Sequence, residues 1–498
     1  MTGVSLTKLR TGAWIALLTG TVVALLVVAS VVSGTAGADA GDDTGSDSRR
    51  CHKMPREVPH LVPHAEVQDG DCLKDLTTAG TQKTGHTDKN DWSGLNAEGT
   101  NNPTGVGGLQ VDGYFHDEVT TPTPNTNNGW LHDSQFVIRF PNHWNGKLVI
   151  TGAPGVREQY ANDFIISDWV LAKGYAFAST DKGNTGIYFY DDGSEPGGSI
   201  LEWHRRVEQL TRNTKAAAKK YYGEAPRRTY ITGISNGGYL TRYALENTPE
   251  LYEGGVDWEG TLFRAEGPNL LTYLPTALAN YPEYANPLAD QQTRDDAHDN
   301  MIDAGFEPGS EFLWDEHYTT YWDLTQRIYR EEFDPTYDGA RGENGTPPGI
   351  PFCQDEANLD GCDANYVYEN RPQEVKDAVG KVSLTGDIGK PLLTLHGDLD
   401  ALLPIRTDSD VYSKLVRDKG HANMYRYYVI GRGNHVDSYY DKYPDKLRPI
   451  LPCHRDAFRA LVHFVQNGDK PPESGYVPKP ETGDLVNNCS IENTAPRP

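Results

Sequence analysis

Between the strand-like run Thr229–Thr232 and the helical pattern Tyr239–Asn247 the chain reads Gly233-Ile234-Ser235-Asn236-Gly237-Gly238. A serine flanked by glycines two residues before and two after, entered from a strand and left by a helix, forms a G-x-S-x-G elbow. The sharp turn holds the serine in a strained backbone, and the small flanking residues let the turn pass its neighbours. Such an elbow constrains the fold because it needs a strand edge on one side and a crossover helix on the other.

The surrounding sequence repeats that alternation. Phe136–Phe140, Lys147–Thr151, Ala176–Thr180, Pro391–Leu395 and Tyr425–Ile430 read as strands. Trp169–Lys173 resembles a helix end, Glu202–Tyr222 carries Val207, Leu210, Ala217 and Ala218 on a helical period, and Arg455–Gln466 reads as an amphipathic closing helix. Strands alternating with helices predict a mostly parallel central sheet covered on both faces.

A serine hydroxyl is a weak nucleophile and needs a base, which in turn needs an orienting carboxylate. Downstream of Ser235, the segment Leu393–Pro404 is a strand running into a loop that holds Asp398 and Asp400. Asp400 is the expected acid, since it lies just before the anchoring apolar segment Leu402-Leu403-Pro404, and Asp398 is its competitor. The strand Tyr425–Ile430 leads into Gly431-Arg432-Gly433-Asn434-His435, which makes His435 the expected base. His396 and His421 read as a turn-packing and a surface histidine. For the oxyanion of an acyl transfer, the Asn236 N–H at the start of the following helix is one expected donor. The loop Gly152-Ala153-Pro154-Gly155 should supply the second, and because Pro154 has no N–H the choice falls on Ala153 first and Gly155 second. No cofactor or metal is expected.

Composition and the N-terminus bound the setting. Forty-six Lys and Arg against 70 Asp and Glu give a net charge of −24, which disfavours nucleic acid and anionic lipid surfaces as partners. Lys8 and Arg10 precede an apolar stretch from Trp14 to Val32 and small-residue cleavage sites near Ala36–Ala40, so residues 1–40 read as an export signal, with no stable membrane association after cleavage. An uncleaved anchor is the alternative. All six cysteines follow this segment, which suits an oxidising, extracellular compartment. Proximity in sequence favours the pairs Cys51–Cys72, Cys353–Cys362 and Cys453–Cys489.

Several segments together resemble the tannase and feruloyl esterase family of α/β-hydrolases. They are Trp144-Asn145-Gly146-Lys147, Leu171–Ala176 with Ser179-Thr180-Asp181, Ala218–Gly223, the elbow, and the His396-Gly397…Asp400 loop. The resemblance covers roughly residues 135–260 and 385–465 and implies an α/β-hydrolase fold in which Ser235, Asp400 and His435 form a catalytic triad. The family commonly joins cysteines beside its serine and histidine by a disulfide, whereas this chain has Ile234 and Val436, which marks a divergent member. The segment Asp257-Trp258-Glu259-Gly260 has no evident counterpart. A second resemblance, carried by Ser235-Asn236-Gly237-Gly238, is to secreted hydrolases of 3-hydroxybutyrate oligomers and polymers.

The distance between Ser235 and Asp400 exceeds what one or two strand–helix units of about 30 residues need, so an insertion is implied. Residues 262–382 are rich in aromatics, including Tyr273, Tyr281, Phe312, Trp314, Tyr318, Tyr321 and Trp322, and read as a helical lid whose rings are mainly lid core. Asp290, Asp295, Asp296, Asp299 and Asp303 read as a solvated acidic face, although the resembled family can carry a lid calcium. The expected organisation is a signal at 1–40, a looped, disulfide-bearing extension at 41–130, a catalytic domain at 131–261 and 383–468, the lid at 262–382, and a tail at 469–498. The expected function is a secreted serine esterase acting on small-molecule or oligomeric esters. A catalytically silent extracellular binding protein is the alternative of another class, although such a module has no need of the three residues.

Overall fold

The computed structural model describes residue 51 and residues 60–117, 121–337 and 363–498. The expected export signal at residues 1–40 and the expected Cys353–Cys362 pair lie outside the described residues. Ten strands form one sheet: β1 (Ala65–Leu73), β2 (Gly108–Phe115), β3 (Gln135–Pro141), β4 (Lys147–Gly152), β5 (Ala176–Thr180), β6 (Arg228–Ile234), β7 (Gly254–Trp258), β8 (Leu392–Gly397), β9 (Tyr425–Ile430) and β10 (Gly475–Val477). Their spatial order is β1-β2-β3-β5-β4-β6-β7-β8-β9-β10. The ladders from β1 to β5 through β2 and β3 are antiparallel, and every ladder from β5 onward is parallel. This is an α/β-hydrolase architecture with a mostly parallel sheet.

The strands are apolar on both sides because both faces are covered. Phe136, Ile138 and Phe140 of β3 enter one core while Val137 enters the other, and Leu148 and Ile150 of β4 oppose Val149 in the same way. That alternation of period two sorts the helices. α1 (Gly198–Tyr222) and α2 (Asn236–Asn247) contribute Trp203, Leu210 and Leu240 to the first core. The closing helix, Leu451–Asn467, contributes Phe458 and Leu461 to the second.

The insertion is helical, with α3 (Leu270–Ala285), α4 (Gln291–Asp303), α5 (Glu311–His317), α6 (Asp323–Phe333) and α7 (Gln373–Gly380). Tyr273, Tyr281, Trp314 and Trp322 are buried within it, as lid-core aromatics should be, while Phe312, Tyr318 and Tyr321 are half-buried. The acidic residues of α4 face outward, with Asp290 capping the helix through the Thr293 N–H at 2.9 Å.

Three parts differ from the sequence reading. The extension expected to be looped contributes β1 and β2, the unplaced segment around Asp257 is β7, and the tail adds β10 with a bridge from Tyr476 to Ala495. Two disulfides are present among the described residues, Cys51–Cys72 in the extension and Cys453–Cys489 between the closing helix, which we label α9, and the tail. Among the described residues no helix is long and apolar enough to cross a membrane.

Candidate active site

Ser235 stands between β6 and α2 with φ +57° and ψ −123°, a left-handed conformation that is costly for a residue with a side chain. A Cβ on Gly233 would come within 2.5 Å of the Gly237 backbone, and one on Gly237 within 2.6 Å of the Gly152 carbonyl oxygen. The two glycines therefore let the elbow fold tightly against the end of β4.

β8 and β9 end at the same sheet edge and bring the other two expected residues to Ser235. His435 Nε2 is 3.1 Å from Ser235 Oγ, and His435 Nδ1 is 2.8 Å from Asp400 Oδ2. Since a carboxylate can only accept, Nδ1 carries the proton toward Asp400 and Nε2 presents a lone pair to the serine hydroxyl. Ser235 is half-buried, His435 nearly buried and Asp400 fully so.

Asp400 has an unusually full set of donors. Oδ1 accepts from the Leu402 and Leu403 N–H groups, each at 2.8 Å, and Oδ2 faces His435 and, at 3.3 Å, His396 Nε2. Burial alone would raise its pKa, but His435 and the His396 hydrogen bond outweigh it and hold the carboxyl well below the ordinary range. Asp398 is placed elsewhere: it accepts from the Arg432 N–H at 2.6 Å and from the Tyr476 hydroxyl at 3.2 Å.

His396 corrects the sequence reading. It does not merely pack a turn, because its Nε2 also reaches the Leu403 carbonyl at 2.9 Å and its Nδ1 reaches Ser409 Oγ at 2.7 Å, which clamps it beside Asp400. Behind it lies a buried network on α8 (Ser409–Asp418) and α2. Arg242 donates to Ser409 Oγ at 2.7 Å, to Asp408 at 2.9 Å and to Asp257 at 2.6 Å. His421 is where it was expected, at the surface beside Asp387 at 2.7 Å.

Glu259 was not anticipated. It follows β7 directly, is fully buried, accepts the Gly397 N–H through Oε1 at 2.7 Å, and sets Oε2 3.8 Å from His435 Nδ1 with no hydrogen-bond partner. Burial and then the charge of Asp400 push its pKa well above the ordinary value. A short strand ended by a Glu-Gly pair was the only sequence signal for it.

The oxyanion donors divide. The Asn236 N–H lies in the first turn of α2, where no intrahelical acceptor exists. The Ala153 N–H is engaged, donating at 3.0 Å to the Thr180 carbonyl and extending the parallel ladder past its Gly152–Thr180 pair, so Ala153 is ruled out as a donor to ligand. Gly155, at φ +51°, remains. The Asn236 side chain ties this corner together: its Nδ2 donates to the Gly155 carbonyl at 3.0 Å and to the Tyr329 hydroxyl at 2.6 Å, and its Oδ1 accepts from Thr261 at 3.0 Å. Tyr329 belongs to α6, and the Trp322 indole just before α6 donates to the Ala401 carbonyl at 2.7 Å, so the insertion touches both the serine loop and the acid loop. Ile234 and Val436, where the resembled family has a disulfide, belong to one apolar cluster.

The arrangement can remove a proton from a serine hydroxyl and hold a developing negative charge on backbone N–H groups. Comparison with known proteins points to ester hydrolases. Residues 123–257 match the family model described as tannase and feruloyl esterase. The mono(2-hydroxyethyl) terephthalate hydrolase of Piscinibacter sakaiensis is 25% identical over 141 residues, covering 26% of this chain and 23% of that protein. A probable feruloyl esterase B-1 of Aspergillus terreus is 24% identical over 187 residues, covering 34% of this chain and 35% of that protein. These alignments span about a quarter to a third of the curated relatives' length. The crystal structure of feruloyl esterase B from Aspergillus oryzae is alike in fold, with a TM-score of 0.51 at 14% identity over 86% of this chain and 92% of that one.

Proposed function

We propose that this protein, whose residues 123–257 match the family model described as tannase and feruloyl esterase, is a secreted serine esterase that hydrolyses carboxylic esters through an acyl-enzyme. The observation that supports it most directly is the line from Ser235 Oγ through His435 to Asp400, with contacts of 3.1 and 2.8 Å.

Ser235 Oγ attacks the ester carbonyl carbon while His435 Nε2 takes its proton. Asp400 holds the Nδ1 tautomer and stabilises the imidazolium that forms. The negative charge on the former carbonyl oxygen is received by the N–H groups of Asn236 and Gly155. Collapse of this intermediate breaks the bond to the alcohol oxygen, which leaves with the proton from His435. Water, deprotonated by the same nitrogen, then attacks the acyl-enzyme and releases the acid and Ser235. The signal-like pattern of residues 1–40 and the Cys51–Cys72 and Cys453–Cys489 bridges favour an extracellular setting.

Both curated relatives are named for hydrolysing esters of aromatic acids, so small esters of that kind are the favoured substrates. Purified protein offered feruloyl, galloyl, short aliphatic and 3-hydroxybutyrate esters tests this reading. Turnover of an aromatic-acid ester, lost in Ser235→Ala, is expected. Preference for 3-hydroxybutyrate esters would reassign the substrate, and no turnover of any ester by folded protein would favour a binding role.

A further inference from the structure

A second cluster of buried acids lies away from Ser235. Asp117 follows β2, Asp192 ends the turn Phe189–Asp192, and Glu202 lies near the start of α1; one carboxylate oxygen from each falls within 4.8 Å of the others. Asp192 is only 5% exposed, yet neither of its oxygens accepts a hydrogen bond, and the side chain facing it is Glu202, another acceptor. Arg206 supplies the nearest positive charge. Its Nη2 reaches Asp117 Oδ2 at 2.9 Å and Glu202 Oε1 at 2.6 Å, and Asp117 Oδ2 also accepts from Ser134. Both oxygens of Asp192 are left without a donor, and three ionised carboxylates against the one guanidinium of Arg206 leave two negative charges.

We propose that Asp117, Asp192 and Glu202 bind a calcium-like divalent cation. Hard oxygen ligands carrying two surplus negative charges match such an ion in charge and type. One oxygen from each residue lies within 4.8 Å of the others, so a single ion that binds oxygens at about 2.4 Å can reach all three. The cluster lines a solvent-open cleft of about 690 Å³, which gives the ion a path in and room for the waters that complete its shell. Binding would fasten the turn Phe189–Asp192 to α1. Phe189 packs on Tyr329 with ring centroids 5.5 Å apart, and Tyr329 holds Asn236, so the ion would brace the insertion next to the serine.

The test is calcium titration of the full protein after EDTA treatment and desalting, followed by calorimetry and thermal unfolding. Wild type is expected to bind one calcium saturably, more weakly magnesium, and to unfold several degrees higher with calcium. Asp192→Asn should weaken calcium binding by about tenfold or more, while its calcium-free form unfolds above calcium-free wild type. Asp117→Asn gives the same binding readout should that variant fail to fold. A double variant of the outward acids, Asp299→Asn with Asp303→Asn, should keep the wild-type response. Absence of saturable binding in wild type, or unchanged affinity in a folded Asp192→Asn or Asp117→Asn protein, would overturn the proposal.

Discussion

Asp400 and Asp192 are the same side chain in the same kind of burial, and they end in opposite states. Asp400 receives two backbone N–H groups and two histidines, and is held ionised. Asp192 receives no donor, faces other acids and is pushed up to about 10. Burial works in the same direction on both, so the difference lies in what the fold aims at each one. A buried carboxylate that is fully satisfied can orient a histidine; one that is not must find a proton or a cation.

The largest expected effect breaks the first half of this comparison at its reacting end. Ser235→Ala should lower ester turnover by about 10⁴- to 10⁶-fold with the fold retained, read from steady-state kinetics and circular dichroism. Asp400→Asn should follow with a loss of about 10⁴-fold, and Asp398→Asn, whose side chain meets Arg432 and Tyr476, should keep most of its activity. The reverse ranking would move the acid to Asp398.

Stability against pH sharpens the comparison because the two signs oppose. Asp400 has a lowered pKa, so its contribution is present above about 3.8 and fades as pH falls below that value toward the folded one. Asp400→Asn should therefore destabilise at neutral pH, by about 1 to 3 kcal/mol for the buried donors left without a charged acceptor, and by less in acid. Asp192 has a raised pKa, so the folded state is penalised progressively as pH rises from about 3.8 to about 10. Asp192→Asn should stabilise calcium-free protein at neutral pH and have little effect near pH 4. Urea unfolding at several pH values separates them, and shifts of the same sign in both variants would contradict the electrostatic account.

The smallest effect concerns Glu259. Glu259→Gln keeps the acceptor for the Gly397 N–H, and the Glu259 Oε2 that it replaces lies 3.8 Å from His435 Nδ1, beyond hydrogen-bond reach, so turnover at neutral pH should change by less than about threefold. Loss comparable with that of Asp400→Asn would make Glu259 a charged partner of His435.

Much of this site was legible in the sequence because each of its parts is local. The Ser235 elbow, the strand into Asp400 and the glycine turn into His435 each carry their own signal, and the sheet order brings the three together. What escaped notice depends on pairings between distant segments. β2 (Gly108–Phe115) hides in a stretch crowded with Asn, Pro and Gly, and is a strand because β1 and β3 flank it. The Ala153 N–H looked free, yet the Thr180 carbonyl on the neighbouring strand takes it. His396 and Glu259 reach Asp400 and His435 only because β7, β8 and β9 are adjacent. The Asp117–Asp192–Glu202 cluster joins a strand end, a turn and a helix whose acids are unremarkable when read one at a time.

The central claim is that Ser235 is activated by the His435–Asp400 pair. Labelling folded protein with a fluorophosphonate, followed by mass spectrometry of the peptides, tests it most directly. The account predicts one adduct, on Ser235, strongly slowed in His435→Ala and absent in Ser235→Ala. Labelling at another residue, or none on Ser235 in folded wild-type protein, would contradict it.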